Sequence, residues 1–293
     1  MYEAIAEKYQ GGKIAFQGQP GSYSQIACAE VFPGMDTLPC TAFEDAFAAV
    51  KDGAAALAMI PIDNSVAGRV ADVHHLLPNS GLYIVGEHYE EIHHQLLAAP
   101  GATLKTIRRV RSHVHALSQC RKLIRRLKLT PMVTADTAGG AAEVAKLNDP
   151  TEAALASSLS AEIHGLTPLM TNVEDAATNT TRFLIMAHEP MPVPPNNGMT
   201  VTSFVFRVRN VPAALYKALG GFATNGVNIT KLESYLVDGS FVAAQFFAEI
   251  EGHPDNRLVG LAFDELQFFT EKLRILGTYA APPYRYDERK RSL

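Results

Sequence analysis

Along the first 160 residues the apolar positions fall in short runs broken by glycine- and proline-bearing turns, and their spacing switches repeatedly between strand and helix periods. Lys13-Ile14-Ala15-Phe16-Gln17 reads as a strand and Gly18-Gln19-Pro20-Gly21 as a turn, with Ser22 capping a helix to about Val31. Residues 55–61 form a second apolar strand. Asp63-Asn64-Ser65-Val66-Ala67-Gly68 follows it and leads into a helix with Val70, Val73 and Leu77 on one stripe. Further strands are expected at 109–112, 131–135 and 152–157, and Ala138, Ala141, Ala142 and Ala145 keep helical spacing between the last two. This alternation predicts an α/β fold with largely parallel pairing, whose ligands gather at the carboxyl ends of the strands. The long strand-like run 82–98 is placed to carry the chain between two lobes.

The pattern changes after a stretch, 188–199, that has four prolines within 190–195 and can continue neither a helix nor a central strand. Beyond it Phe204, Phe206 and Val208 alternate, and Pro212 opens a helix with Leu215, Leu219 and Phe222 on one face. Val227 and Ile229 begin another strand, and Asp238-Gly239 marks a hairpin turn. Val242, Ala244, Phe246, Ala248 and Ile250 then alternate, Ala262, Leu266, Phe269 and Leu273 mark a second helix, and 274–279 is a last strand. The order βαββαβ predicts a ferredoxin-like unit with one sheet face left for a partner. The expected organisation is a two-lobed α/β part over 1–188 with its crossover near 82–110, a linker at 189–199, the βαββαβ unit at 200–285, and a solvated, frayed tail at 286–293.

Composition narrows the function classes. With 47% hydrophobic and 19% charged residues among 293, the chain can bury a real core. A net charge of −4 argues against nucleic acid, whose binders carry a basic footprint. In the basic run at 121–128, Leu117, Cys120, Ile124 and Leu127 fall on one helical stripe and leave the charges on a solvated face. The start lacks the apolar core of a secretory signal, and no uninterrupted apolar run is long enough to span a membrane. Three cysteines, odd in number and unclustered, fit reduced thiols, so the expected compartment is the cytoplasm.

The candidate chemistry sits in loops. Asp175-Ala176-Ala177-Thr178-Asn179-Thr180-Thr181-Arg182-Phe183 crowds hydroxyls, an amide and an arginine at the entrance of the apolar run Phe183-Leu184-Ile185-Met186. Such a junction either shapes a turn or holds a small anion. The amides at Gly18–Ser22 and at 64–68 read either as plain helix caps or as seats for carboxylates. Two such ends together with Arg182 suit a substrate with more than one carboxylate. His74-His75 and His93-His94 are adjacent pairs that cannot chelate one ion, and no cofactor fingerprint is present, so neither metal nor cofactor is expected.

Several of these segments together resemble one family. Asn179-Thr180-Thr181-Arg182-Phe183 looks like the N-x-T-R-F signature of prephenate dehydratases. Residues 60–68 resemble that family's P-x-E-N-S-x-x-G segment, 18–24 its opening glycine-rich turn, and Ser112-His113 with Ala116-Leu117-Ser118-Gln119-Cys120 its S-H-P-Q-A-L-x-Q-C segment. The C-terminal unit is similar to an ACT domain, the amino-acid-sensing module of these enzymes.

The resemblance implies a two-lobed catalytic domain like that of periplasmic binding proteins, followed by the ACT domain. It implies decarboxylative dehydration of prephenate to phenylpyruvate in phenylalanine biosynthesis, without a cofactor, inside a homodimer or tetramer paired through ACT domains. Thr181 is the implied catalytic residue. Its hydroxyl can donate to the departing oxygen without being ionised, and one such fixed donor is worth about 3–4 kcal/mol in a dry site. The substrate-binding residues implied beside it are Arg182, Asn64, Ser65, Gly68, Ser22, Asn179, Phe183 and Thr137. Arg182 is expected to pair with a substrate carboxylate, and the other anionic end to rest on amides near Ser22 or Ser65.

L-phenylalanine is the implied effector, bound near Asn210, Pro212, Ala213, Ala214, Leu215, Asn228, Glu233 and Ser234. The chain departs from the family pattern in Asp63 for Glu, and in Val114 and His115 for Pro and Gln. It also has Ala213-Ala214-Leu215-Tyr216 for G-A-L-V and Glu233-Ser234-Tyr235-Leu236 for E-S-R-P. Two other readings stay open: an arogenate dehydratase, with an amine in place of the side-chain keto group, and a non-catalytic ligand sensor of the same architecture.

Overall fold

The computed structural model describes residues 2–176, 178–195, 198–209, 211–236 and 243–291. In chain order the first elements are α1 (Tyr2–Lys8), β1 (Lys13–Gln17), α2 (Tyr23–Val31), β2 (Asp36–Cys40), α3 (Phe43–Lys51), β3 (Leu57–Asn64), β4 (Gly68–Arg69), α4 (Ala71–Leu76), β5 (Tyr83–Glu91) and β6 (Gln95–Ala98). They continue with β7 (Arg109–Ser112), α5 (Val114–Gln119), α6 (Arg121–Leu127), β8 (Thr130–Val133), α7 (Thr137–Leu147), β9 (Glu152–Ala156), α8 (Ser158–His164), β10 (Thr167–Met170) and β11 (Thr180–Ala187). The last are β12 (Thr200–Val208), α9 (Ala214–Thr224), β13 (Ile229–Leu236), β14 (Ala243–Glu251), α10 (Arg257–Phe269), β15 (Thr270–Ala280) and α11 (Pro283–Arg291).

Two compact units result, and both are discontinuous in sequence. One comprises Tyr9–Val73 and His88–Phe183; the other comprises Met1–Lys8, His74–Glu87 and Leu184–Leu293. No helix among the described residues is long and apolar enough to cross a membrane.

Two mixed sheets organise the first half of the fold. One has the order β2-β1-β3-β11-β5, with β4 hairpinned onto β3, and the other β10-β6-β9-β7-β8. The run 82–98 does pass from one sheet to the other, since β5 lies in the first and β6 in the second. Edge strand β2 is invisible to the pattern because it is short, polar and holds Pro39, which an edge tolerates. The second sheet is covered on both faces. Leu96, Val110, Leu117, Leu123 and Leu155 pack on one side, and Leu97, Ala141, Val144 and Ala154 on the other.

Three local expectations need correction. The stripe from Leu117 to Leu127 is not one helix, because Cys120, at φ −119° and ψ 30°, breaks it into α5 and α6. Residues 64–68 are not a helix start. They form a β3–β4 hairpin closed by the Asn64–Gly68 pairing, with Gly68 at φ +84°, a conformation glycine adopts without strain. Leu273 belongs to β15 rather than to a helix, since the helical register ends at Phe269.

In the other unit β13-β14-β12-β15 form an antiparallel sheet with α9 and α10 on one face, which gives the βαββαβ order. Phe204, Phe206, Phe222, Phe246 and Phe263 fill the space between, each burial worth about 1.5–3 kcal/mol. The expected Asp238-Gly239 turn lies outside the described residues. The opposite face is not left bare, because His74–Glu87 lies against it. His74 Nδ1 meets the Tyr235 hydroxyl at 2.7 Å, and Arg274 donates to the Pro78 and Leu82 carbonyls at 3.3 and 3.2 Å. At Gly277 the backbones come so close that a Cβ would sit 1.9 Å from the Ile84 carbonyl oxygen.

The tail is also structured. Residues 286–291 continue α11, where Arg285 grips the buried carboxylates of Glu87 and Glu249, and Tyr286 accepts from the Met199 amide at 3.0 Å.

Candidate active site

The loop into β11 and the end of β3 build the site together. Two backbone amides, Val66 and Ala67, donate to Asn64 Oδ1 at 3.0 and 2.8 Å, which leaves no freedom in how that side-chain amide is turned. Asn64 Nδ2 therefore faces the other way. It donates to Asn179 Oδ1 at 2.8 Å and to Thr181 Oγ1 at 2.9 Å. Thr181 thus accepts from Asn64, and its own hydroxyl proton is directed to a different acceptor. Ser65 fixes the preceding residue from both sides, accepting the Thr180 amide on Oγ at 2.9 Å and giving its own amide to the Thr180 carbonyl at 2.8 Å.

The chain of amides continues into the second lobe. Asn179 Nδ2 donates to Gln119 Oε1 at 3.0 Å, and His94 Nε2 lies 3.0 Å from the same oxygen. On the other edge of the imidazole, Nδ1 is 2.8 Å from the Tyr23 hydroxyl, which also lies 2.9 Å from the His93 carbonyl. Burial pushes the pKa of His94 down, so the ring is neutral at neutral pH.

Beside it, Glu174 accepts from the His94 amide at 2.9 Å and from His93 Nδ1 at 2.9 Å. Burial raises the Glu174 carboxyl, but these hydrogen bonds outweigh it and the net shift is downward. The hydrogen bond to Glu174 is the main cause that raises His93. The two lobes also meet at Gly21, whose carbonyl accepts from Ser157 Oγ at 2.5 Å and Ser160 Oγ at 2.9 Å.

The expected binding residues do not all converge. Asn64, Asn179 and Thr181 are in direct contact, with Ser65 and Gly68 shaping the hairpin behind them. Arg182 is not on their side. Successive strand residues point to opposite faces, and Arg182, buried at 7% exposure, pairs with Asp63 at 3.6 Å just as Thr181 pairs with Asn64. Its guanidinium is engaged within the protein instead of standing ready for a substrate carboxylate. Phe183 is a core residue at 1% exposure. Ser22 caps α2, accepting from Gln25 N, and Thr137 is the first residue of α7, whose cap Asp136 already occupies the Gly139 amide.

The amides expected to seat an anion near Ser65 are those that Asn64 holds. Sequence reasoning gives no role to Tyr23, His94 or Gln119. Gln119 lies within a family-like motif, and His94 suggests only half of a metal-binding pair.

The candidate effector residues scatter. Ala213 caps α9 at φ +58°, with Pro212 before it and Ala214 and Leu215 opening the helix against the phenylalanine core. Asn228 Nδ2 donates to Glu251 at 3.1 Å. Ser234 pairs across the sheet with Phe246, on the helix-covered face, so its neighbour Glu233 points to the opposite face, where it lies 3.3 Å from Lys231. Asn210 lies outside the described residues.

Among the described residues, Glu30, His88 and Glu90 bring three ligand-type atoms within 4.8 Å of one another. His88 Nε2 is 3.1 Å from Glu90 and 3.9 Å from Glu30, so the imidazole and carboxylates satisfy one another there. Burial, followed by the neighbouring Glu90, raises Glu30.

The model that describes prephenate dehydratases matches residues 14–191 of this chain. The chain belongs to the prephenate dehydratase family. It is accordingly an enzyme of the hydro-lyase class (EC 4.2.1.51). A relative from Komagataeibacter europaeus, a bifunctional N-acyl-homoserine lactone acylase/prephenate dehydratase, is 52% identical and covers 93% of this chain and 97% of its own length. The arogenate dehydratase/prephenate dehydratase 2 of Arabidopsis thaliana is 35% identical over 91% of this chain and 72% of its own. Among solved structures, the prephenate dehydratase of Arthrobacter aurescens in complex with L-Phe shares 30% identity at a TM-score of 0.84, covering 92% of this chain and 89% of its own. GqqA, described as a novel type of quorum quenching acylase, shares 51% identity at a TM-score of 0.88, covering 93% of this chain and 99% of its own.

Proposed function

We propose that this member of the prephenate dehydratase family converts prephenate to phenylpyruvate, with Thr181 as the group that assists loss of the ring hydroxyl. The observation that carries the reading is the fixed Asn64–Thr181 contact at 2.9 Å, which makes Thr181 an acceptor toward Asn64 and leaves its own proton for another acceptor. In the reaction the C–CO2 bond of prephenate breaks and its electron pair enters the ring. The C–O bond to the ring hydroxyl breaks in turn, the oxygen takes up one proton, and phenylpyruvate, CO2 and water result.

A donor placed at the departing oxygen stabilises charge that exists only in the transition state, so it raises kcat rather than binding. The leaving carboxylate is best held without a strong ion pair, since such a pair would oppose its conversion to uncharged CO2. The internal Arg182–Asp63 pair agrees with this. Ser22 and Thr137 remain candidates for holding the carboxylates.

Purified protein should form phenylpyruvate from prephenate with nothing added, and a folded Thr181→Ala variant should lose about a hundredfold or more in kcat. Equal turnover by the variant would remove Thr181 from the mechanism. Parallel kcat/KM measurements on prephenate and arogenate decide between the two substrates.

We further read the βαββαβ unit as an ACT domain through which L-phenylalanine inhibits a homo-oligomer, with Pro212, Ala213, Ala214, Leu215, Asn228, Glu233 and Ser234 as its candidate contacts. The L-Phe complex of the 30% identical relative supports it. Unaltered activity and oligomer size with phenylalanine present would reject it. A second reading adds N-acyl-homoserine lactone hydrolysis, supported by the 52% identical bifunctional relative. Assaying release of homoserine lactone tests that directly.

A further inference from the structure

The amides of the site form a chain with only one consistent direction. At its lower end the Val66 and Ala67 amides set Asn64, Asn64 sets Asn179, and Asn179 presents Nδ2 to Gln119 Oε1. That oxygen also faces His94 Nε2 at 3.0 Å. Two acceptors cannot face each other at this distance, so His94 must carry its proton on Nε2. In a neutral ring Nδ1 is then a bare acceptor, and the single Tyr23 hydroxyl proton is shared between it at 2.8 Å and the His93 carbonyl at 2.9 Å.

With both N–H groups converging on Gln119 Oε1, the NH2 of Gln119 cannot turn inward. It is left, like the Thr181 hydroxyl, to donate elsewhere. A face with its acceptors consumed inward and its donors outward suits an acceptor-rich ligand such as a hydroxylated dicarboxylate.

We propose that His94, held as its Nε2–H tautomer by the Gln119 Oε1 acceptor, is a positioning residue that locks Gln119, Asn179 and Asn64 in the one orientation that keeps Thr181 a donor. His94 touches no reacting atom. It is 2% exposed and works through the amides. The groups that face it are Tyr23 from α2, Gln119 from α5, its neighbour His93, and Glu174 at its own backbone amide. Without the Nε2 donor the Gln119 amide can flip, its NH2 then faces the NH2 of Asn179, and the conflict runs toward Asn64. A glutamine side chain at position 94 can return an N–H to nearly the same place; a leucine cannot.

This inference rests on the reading of Thr181 as donor, and its decisive measurement does not depend on activity. Long-range proton–nitrogen spectra of protein labelled with nitrogen-15 at histidine, with His94→Gln used for assignment, should show the His94 proton on Nε2 and a bare Nδ1 at neutral pH. A proton on Nδ1 overturns the proposal, whatever the substrate proves to be.

On prephenate, His94→Leu should lower kcat about tenfold, the equivalent of one lost hydrogen bond, with KM held within about twofold. His94→Gln should recover most of that loss, and Tyr23→Phe should fall between wild type and His94→Leu. Wild-type turnover in a folded His94→Leu variant also overturns it. If His94→Leu fails to fold, the order wild type, His94→Gln, Tyr23→Phe in kcat carries the test, and no difference among the three refutes it. Absence of prephenate turnover in the wild type would sink the functional reading while leaving the tautomer result standing.

Discussion

Replacing Asn64 by Asp tests the site with almost no change in shape. Its Oδ1 partners, the Val66 and Ala67 amides, are kept and now bond to a charged acceptor. The other terminal atom changes from a donor with two N–H bonds to an acceptor. An oxygen would then face Asn179 Oδ1 at about 2.8 Å and Thr181 Oγ1 at about 2.9 Å, the distances now held by Nδ2. The first contact becomes repulsive. The second turns the Thr181 hydroxyl around, because it now finds its best acceptor in the new carboxylate and no longer donates to the substrate. Loss of one transition-state donor costs about 2.7–4 kcal/mol, or roughly 10²–10³ in kcat. The added charge beside an anionic substrate contributes about 1 kcal/mol more at 4 Å in a water-like dielectric, which appears in KM.

Steady-state turnover of prephenate should therefore fall at least about a hundredfold, while thermal unfolding moves little because the hairpin amides stay satisfied. In a double-mutant cycle, Thr181→Val should cost far less in the Asn64→Asp background than in wild type, since the donor is already lost. A variant within about threefold of wild-type kcat would refute the claim that Asn64 sets the direction of the Thr181 hydroxyl.

Other tests address the frame around the site. Gly277→Ala places a Cβ 1.9 Å from the Ile84 carbonyl, so it should destabilise by about 3 kcal/mol or more and lower Tm by roughly 6–12 °C. Gly220→Ala in α9, with nothing within 4 Å, should instead stabilise by about 0.5–1 kcal/mol, and calorimetry reads both signs. Gly21→Ala combines φ +92° with a contact 2.9 Å from Ser160 Cα and should cost about 2 kcal/mol or more in urea unfolding.

For the His93–Glu174 pair the sign follows from the two shifts. Glu174 is depressed, so its contribution is present above 4.5 and lost as pH falls through its lower folded value. His93 is raised, so its contribution is complete below 6.5 and lost as pH rises through its higher folded value. The stability gap between wild type and Glu174→Gln should thus be widest between these limits and narrow on either side; a flat difference would contradict the pairing.

Much of the architecture was legible because each strand of the interior carries its own apolar run, and because Ser22 and the alternating apolar residues of β12 and β14 announce local structure. What escaped detection depends on distant partners. Pro39 hides an edge strand that pairs with β1. The tail reads as charge alone until Glu87, nearly two hundred residues away, supplies a partner for Arg285 in the helix that the tail continues.

At the site, Asn64, Asn179 and Thr181 stood out through motif likeness, but the direction of their hydrogen bonds is set by the Val66 and Ala67 amides, which have no signature in sequence. Arg182 misled for a simple reason. An arginine beside a hydroxyl suggests shared work, whereas strand alternation sends the two to opposite faces. Glu233 and Ser234, candidates for effector contact, are divided by the same period of two.

The covering of His74–Glu87 by Leu184–Leu293 bears on how this enzyme can be dissected. A cut at the proline-rich segment looks natural in sequence, yet it would bare the carbonyls of Pro78, Leu82 and Ile84 and strip Arg285 from the buried Glu87. A fragment ending near residue 188 is thus expected to be insoluble or proteolysed rather than a trimmed, unregulated enzyme. Chimaeras that exchange the C-terminal unit between relatives need to carry the 74–87 segment with it.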